Sequence, residues 1–388
     1  MTGEQDTGAL LRPLEDFALL HAQTIRRLGA RAIDLSYPNP RACRDARAYE
    51  LLSEAAAQAE ISDLQYTPFG GLTQARRNIA GALARRFGLP FRFTDIILTP
   101  GAAAALRVAF QTIFQPGDQV ILIAPCWMDY PVYLQSLGIA ATVVPSGPGK
   151  HLDRAAVEEA WTPATRGIVI SQPACPTGVV YTERELRALG ALLDGMAGRY
   201  GRPPVLISDE VHRDTVWTGA SFTTPLSVYP ESLSVYSFGK AWSMQGQRTG
   251  YIALSPEMIR RQPLAAALER MMRITGHCAP TALMQRVASC LASLTPDTDG
   301  LTSLQQHART QLAAAGFDVV PADATSFVYV REPDGNNPGL AALAARQGVL
   351  VMPSGIFHEQ GYFRIALNVG HPELSEAAAR LAAARRRA

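Results

Sequence analysis

Lysine is nearly missing from this chain. Of its 36 lysines and arginines only Lys150 and Lys240 are lysine, which leaves 34 arginines. Cysteine is sparse: Cys43, Cys126, Cys175, Cys278 and Cys290 are scattered, odd in number and include no C-x-x-C pair. That argues against a disulfide framework or a structural zinc site and points to a reducing cytoplasm. The seven histidines show neither H-x-x-x-H nor H-E-x-x-H spacing, so no metal is indicated. Net charge is only +2, so no bulk polycation is available to hold nucleic acid by phosphate neutralisation. The Arg385-Arg-Arg end reads as a solvated helix terminus. No apolar run reaches the roughly 18 residues of a membrane span, and the opening Met1-Thr-Gly-Glu has neither the basic nor the apolar region of a secretory signal. What is present is 388 residues, 47% hydrophobic and 18% charged. Such a chain is ordered, carries a sizeable core and is expected to form two or more domains.

The middle of the chain alternates short apolar runs with longer helix-like stretches. The runs at 96–98, 119–124, 141–145, 167–171, 205–208, 233–238 and 251–254 are rich in Val, Ile and Leu and do not alternate cleanly, which predicts strands buried on both faces. Helices are expected over 102–114, 131–137, 154–160 and 183–200, the last announced by Thr182 with Glu185 three residues on, a capping-box pattern. This order predicts an α/β fold: a large domain with a mostly parallel sheet flanked by helices. After about residue 290 the pattern changes to a helix (301–315), strands at 318–321 and 326–330, a turn at 335–339, a helix, strands at 349–352 and 362–369, and a final Ala/Arg helix. That predicts a smaller α+β domain. The first 45 residues, with Tyr37-Pro-Asn-Pro, have no place in the large sheet and are expected to pack on the small domain, which is then made from both chain ends. The expected division is 46–289 against 1–45 with 290–388.

Several chemistry-bearing residues fall at the carboxyl ends of predicted strands, where open α/β sheets bind ligands. Lys240 follows the run 233–238 in Ser237-Phe-Gly-Lys-Ala-Trp. A surface lysine is the ordinary reading, but in a chain that uses arginine for plain cations it points to what a guanidinium cannot do, becoming a neutral, nucleophilic amine. Asp209 and Glu210 close the strand before it; they either cap the next segment or pair with a protonated ring nitrogen. Thr99-Pro-Gly-Ala-Ala-Ala joins a strand to a helix, so the Ala102 and Ala103 amides form an anion site, although not a nucleotide-triphosphate loop. Arg248, in Gly246-Gln-Arg-Thr-Gly, is placed to clamp a phosphate. Arg364 is an isolated charge in the apolar strand Tyr362-Phe-Arg-Ile-Ala-Leu and needs either a substrate carboxylate or a structural Asp or Glu. Trp127 either packs in the core or stacks on a flat ring.

In order, Tyr66-Thr-Pro-Phe-Gly-Gly with Arg76, Pro116-Gly-Asp, Pro125-Cys-Trp, Cys175-Pro-Thr-Gly, Asp209-Glu-Val, Ser237-Phe-Gly-Lys, Arg248 and Phe363-Arg364 resemble the fold-type I, pyridoxal-phosphate-dependent aminotransferases of class I/II. The resemblance spans most of the chain. It implies pyridoxal 5'-phosphate as cofactor, an aldimine on Lys240, and an L-amino acid substrate reacting through an external aldimine and a quinonoid, with Lys240 moving the α-proton and a keto acid as acceptor. It implies that Asp209 holds the pyridine nitrogen, that Ala102, Ala103, Ser237 and Arg248 hold the phosphate, and that Tyr66 reaches it from the partner subunit of a homodimer with active sites at the interface. Trp127 stacks on the ring, Arg364 takes the α-carboxylate, and Tyr37 faces the substrate side chain.

Two positions depart from the family. Cys175 stands where it usually has Asn, and His212 where it usually has Tyr; both family residues donate to the cofactor's phenolic oxygen. A thiol is a weak donor and a neutral histidine an uncertain one, so the imine is expected to stay protonated to higher pH. Asp209-Glu-Val-His-Arg-Asp-Thr-Val-Trp also resembles the carbon–sulfur β-lyases of the same superfamily, which keeps elimination, cyclisation or oxidation as alternatives to transamination.

Overall fold

The computed structural model describes residues 7–39, 45–217, 219–332 and 339–386. Cys43 and, but for Gly339, the turn expected at 335–339 lie outside them. The chain opens with α1 (Thr7–Leu28) and a two-residue strand β1 (Ile33–Asp34), followed by α2 (Arg47–Ala57) and α3 (Thr73–Phe87). Then comes β2 (Ile96–Thr99), α4 (Ala102–Ile113), β3 (Gln119–Ala124), α5 (Asp129–Gln135), β4 (Ala140–Pro145), α6 (Arg154–Glu159), β5 (Thr165–Ser171) and α7 (Glu183–Tyr200). Three strands follow, β6 (Val205–Asp209), β7 (Ser232–Ser237) and β8 (Gly250–Leu254), and then α8 (Arg261–Thr275) and α9 (Ala282–Leu291).

Strands β2 to β8 make a seven-stranded sheet in the order β2-β8-β7-β6-β5-β3-β4. Only β8 runs against its neighbours. Successive residues on a strand face opposite sides, and here both sides are apolar. Ile97, Leu122, Val169, Ile207 and Val235 pack beneath α4, α5 and α8 on one side. Ile121, Ile168, Ile170 and Leu206 pack on α6 and α7, and Ile96, Leu98 and Tyr251 on α2, α3 and α9, on the other. That two-sided burial is why these runs read as continuous rather than alternating; each fully buried Ile or Leu contributes roughly 1.5–3 kcal/mol. The capping box of α7 is formed, with Glu185 N–H donating to Thr182 Oγ1 at 3.3 Å and Thr182 N–H to Glu185 Oε2 at 2.8 Å. The helix ends at Gly201, whose φ of 69° admits the left-handed turn.

The remainder is α10 (Asp299–Ala314), β9 (Asp318–Val319), β10 (Phe327–Arg331), α11 (Gly339–Arg346), β11 (Val349–Leu350), β12 (Met352–Pro353), β13 (Tyr362–Ala366) and α12 (His371–Arg385). An antiparallel sheet, β12-β13-β10-β9, packs its apolar face on α10, α11 and α12. Two expectations need correcting. The strand expected at 349–352 is broken at Val351, because the chain steps from one sheet to another: β11 pairs with β1 and β12 with β13. The strand expected at 362–369 ends at Ala366, where pairing with β10 stops. Among the described residues the N-terminal segment takes no part in the large sheet, yet Ile33–Asp34 does pair with β11, a strand too short to announce itself in the sequence.

Glu210 turns away from the sheet's carboxyl edge. It accepts from Arg213 Nη1 at 3.2 Å and from Thr224 Oγ1 at 2.7 Å, in a buried cluster where the Arg213 guanidinium lies 3.9 Å from the centre of the Tyr236 ring. Tyr236 in turn donates to Asp214 Oδ2 at 2.5 Å. Removing the cation would strand a buried carboxylate. Arg213→Met is therefore expected to lower the unfolding free energy by about 3–5 kcal/mol, read from urea denaturation at fixed protein concentration.

Candidate active site

The strand directions decide which side chains meet. β2, β3, β5, β6 and β7 all end at one edge of the sheet, delivering in turn Ala102 and Ala103, Trp127, Cys175, Asp209 with His212, and Ser237 with Lys240. β8 is antiparallel, so its beginning lies at that edge and brings Arg248 there, two residues before Gly250. Tyr37 and Pro38 from the N-terminal segment, and Phe327, Met352 and Arg364 from the small sheet, close the opposite wall. The cavity so formed holds about 280 Å³ and is lined by every one of these residues, with Leu106, Met128 and Val211. One residue of the expected set is elsewhere: Tyr66 is fully exposed on the surface and does not line the cavity of its own chain.

Charge in this cavity is poorly compensated. Among the described residues no carboxylate pairs with Lys240, Arg248 or Arg364. Burial lowers the Lys240 pKa, helped by the Arg364 and Arg248 charges and opposed by Cys175 and Asp209. The amine is thus easier to deprotonate than an exposed lysine. Lys150, by contrast, is tied to Glu359 and sits 4.1 Å above the Tyr362 ring. Asp209 is 5% exposed; burial raises its pKa, while a hydrogen bond from Tyr130 Oη at 2.6 Å, the Val211 N–H at 3.2 Å and the Lys240 charge hold it down. Tyr130 escaped the sequence reading, although it stands only three residues past Trp127, in the first turn of α5.

Arg248 sits in the left-handed region at φ 48°, donating Nη1 to the Gln245 carbonyl at 3.0 Å. Gly101 makes room for it: a Cβ there would stand 2.8 Å from Arg248 Nη2, and its φ of +85° disfavours any side chain. The guanidinium and the first amides of α4 thereby share one small cradle. Ser237 Oγ accepts from Gly239 N–H at 3.2 Å beside it.

Arg364 answers the question its strand posed. It is 4% exposed, its Nε has no partner, and its Nη2 donates to the Ser36 carbonyl at 2.6 Å. Its guanidinium lies 4.2 Å from the centre of the Phe327 ring and 4.8 Å from that of Phe357, not against a carboxylate. Burial pulls its pKa down to about 10, which still leaves it charged at neutral pH. The turn that aims it is built on Asp34, whose Oδ1 accepts from Ser36 N–H at 3.0 Å and from Ser36 Oγ at 2.5 Å, while Oδ2 meets His21 Nε2 at 2.7 Å. Asn368 Nδ2 pins the same turn through the Asp34 and Tyr37 carbonyls at 3.0 and 2.9 Å. The Asp-x-Ser spacing was a readable turn signal that went unread.

His212 is 1% exposed, and burial with the Lys240 and Arg364 charges drives its pKa well below the ordinary value, so the ring is neutral. Its Nδ1 lies 3.5 Å from Thr215 Oγ1 and its ring stands edge-on to Phe327. Burial pushes the Cys175 thiol up to about 11, partly offset by Arg364 and Lys240, so it stays protonated. Trp127 meets Tyr130 and Tyr133 edge-on, which leaves the orientation of its indole fixed by packing.

Comparison with known proteins identifies the family. The family model described as aminotransferase class I and II matches residues 36–381. A probable aspartate/prephenate aminotransferase of Thermus aquaticus is 30% identical over 371 residues, covering 94% of each chain. The aspartate/prephenate aminotransferase of Thermus thermophilus is 29% identical, covering 87% of this chain and 78% of that one. Among solved structures, an aminotransferase from Eubacterium rectale superposes with a TM-score of 0.91 at 24% identity, covering 96% and 95% of the two chains. A double mutant of Thermus thermophilus aspartate aminotransferase gives 0.82 at 25% identity, with 95% and 96% covered. With its mostly parallel sheet and its match across nearly the whole length, the chain belongs to the aminotransferase class I and II family, the fold-type I enzymes that use pyridoxal 5'-phosphate.

Proposed function

We propose that the enzyme transfers the amino group of an L-amino acid, held by its α-carboxylate, to a keto acid. The observation that carries this is the meeting in a single cavity of the buried carboxylate Asp209 with three cations, Lys240, Arg248 and Arg364, that make no ion pair among the described residues. These residues fit the cofactor: the cradle at Gly101 suits a phosphate, and a buried carboxylate suits a protonated ring nitrogen. When bound, pyridoxal 5'-phosphate supplies an electron sink for the charge left at Cα as its proton departs.

The protein's own groups do the rest. Arg248, Ser237 and the Ala102 and Ala103 amides hold the phosphate, and Trp127 packs on the ring. Asp209, oriented by Tyr130, keeps the ring nitrogen protonated. Arg364 fixes the α-carboxylate so that Cα faces Lys240, whose free Nζ would take the proton from Cα and deliver it to the cofactor's carbonyl-derived carbon, leaving Cα to depart as the keto acid. Cys175 and His212 face the phenolic oxygen, and Tyr37 borders the substrate. Tyr66 serves the neighbouring subunit of a homodimer. The strongly exposed Ile61 and Leu64 beside it support a second copy covering this segment. We assign 46–289 to the cofactor-binding domain and 1–45 with 290–388 to the small one. Among the described residues no helix is long and apolar enough to cross a membrane. Cys126, Cys175, Cys278 and Cys290 are free, which suits work in a reducing cytoplasm.

Purified protein loaded with the cofactor tests this reading. Turnover should strictly require a keto acid acceptor; pyruvate and ammonia released from cysteine-type amino acids without one would replace transfer by elimination. A pH effect follows from His212 and Cys175. A neutral imidazole and a thiol protonated up to about 11 stabilise a neighbouring phenolate less than a phenol and an amide, so the proton on Lys240 Nζ is held to higher pH in the loaded enzyme. Replacing both (Cys175→Asn with His212→Tyr) should move the pH midpoint of the visible cofactor absorbance down by about one unit, the worth of one net hydrogen bond.

A further inference from the structure

The cavity has two unlike walls. Lys240, Arg248 and Asp209 come from the large sheet and Arg364 from the small one, and each has a use in the reading above: Arg248 for phosphate, Asp209 for the ring and Arg364 for the α-carboxylate. Apart from the Ser36 carbonyl, the Cys175 thiol and the Tyr37 and Tyr329 hydroxyls, none of them charged, what surrounds Arg364 is apolar. Met352 lies directly opposite it on the adjoining strand, and the Phe327 ring stands 4.2 Å below its guanidinium. Tyr37 follows the Ser36 carbonyl that Arg364 grips, and Met128 and Trp127 continue the same wall from the large sheet.

Resting on the aminotransferase reading, we propose that the substrate's side chain is uncharged and apolar: aliphatic, thioether or aromatic. An amino acid whose carboxylate pairs with Arg364 and whose Cα faces Lys240 directs its side chain into the wall formed by Tyr37, Met128, Phe327 and Met352. Among the described residues of this chain that line the cavity, a distal carboxylate placed there meets no cation that is not already engaged, since His212 is neutral. A distal ammonium or guanidinium meets no carboxylate among them but Asp209, which lies on the cofactor side. Either charge would be taken from water without a partner. An apolar side chain loses nothing and gains from the burial. The chain thus differs from the relatives named for aspartate, whose side chain is itself a carboxylate.

The test uses the cofactor-loaded full-length enzyme and follows the cofactor spectrum in single half-reactions with L-leucine, L-methionine, L-phenylalanine, L-aspartate, L-glutamate and L-arginine, no acceptor being needed. At least one of the three apolar amino acids should convert the cofactor with kcat/KM at least about 100-fold above those of the three charged ones, the discrimination expected for an unpaired charge in an apolar site. Keto acids matched to leucine and to aspartate, titrated against the amino form of the enzyme, should bind in the same order. Aspartate, glutamate or arginine reacting as well as the apolar set, for instance through a charge supplied by the partner subunit, overturns the inference and leaves the aminotransferase reading standing. A loaded enzyme whose spectrum responds to none of the six amino acids overturns both.

Discussion

Lys240→Ala is expected to reduce turnover by about 10⁴-fold, because it removes in one step the amine that attaches the cofactor and the base that moves the α-proton. The protein should still fold, since Lys240 makes no ion pair among the described residues whose loss would unbalance the core. The near-absence of lysine makes the assignment unusually easy to check. Borohydride reduction of the loaded enzyme, digestion and mass spectrometry can mark only two lysines. The label should fall on the Lys240 peptide and not on Lys150, whose amine is engaged by Glu359 and the Tyr362 ring. Labelling of Lys150, or near-normal turnover by Lys240→Ala, would refute the catalytic assignment.

Arg364→Leu is the second large effect. Losing a charge-assisted, bidentate contact should cost about 3 kcal/mol, a rise of roughly 100-fold in KM for the amino acid with a smaller change in kcat. Stability should move the other way. Arg364 is a buried cation with an unpartnered Nε and, among the described residues, no carboxylate, so replacing it by an apolar residue should leave the unfolding midpoint equal or higher. A KM that does not move would sink the α-carboxylate role; a large loss of stability would show that Arg364 is a structural element. Asp34→Ala should give a weaker copy of the same phenotype. Without the carboxylate that holds Ser36, the carbonyl that orients Arg364 loosens, and KM should rise about 10-fold with kcat nearly unchanged, roughly one hydrogen bond's worth. A fall in kcat with constant KM would instead place Asp34 in the chemistry.

Much of the molecule was legible before any fold was seen. The seven runs of the large sheet, the capping box at Thr182 and the shift in pattern near residue 290 all rest on local chemistry: apolar burial on both faces, side chain to backbone capping, and periodicity. Arg364 stood out because a lone charge in an apolar strand demands a partner. What the sequence left undecided were choices between partners. Glu210 sits beside Asp209 in the chain, and only the fold shows that one faces the cavity while the other is neutralised by Arg213. Residues 349–352 read as a single strand because every side chain in them is apolar; that the chain changes sheets at Val351 depends on β1 and β13, which are distant in sequence.

The sequence by itself therefore determined the family and the fold class, and it singled out the candidates for the chemistry, because these follow from side-chain type and order along the chain. The tertiary structure alone decided which of those residues share a cavity, which charges are left without counter-ions, and that Tyr130 and Asp34 orient Asp209 and Arg364. The reason is physical: pairing and desolvation depend on distances between residues far apart in the chain, and those distances exist only once the strands have aligned their carboxyl ends along one edge.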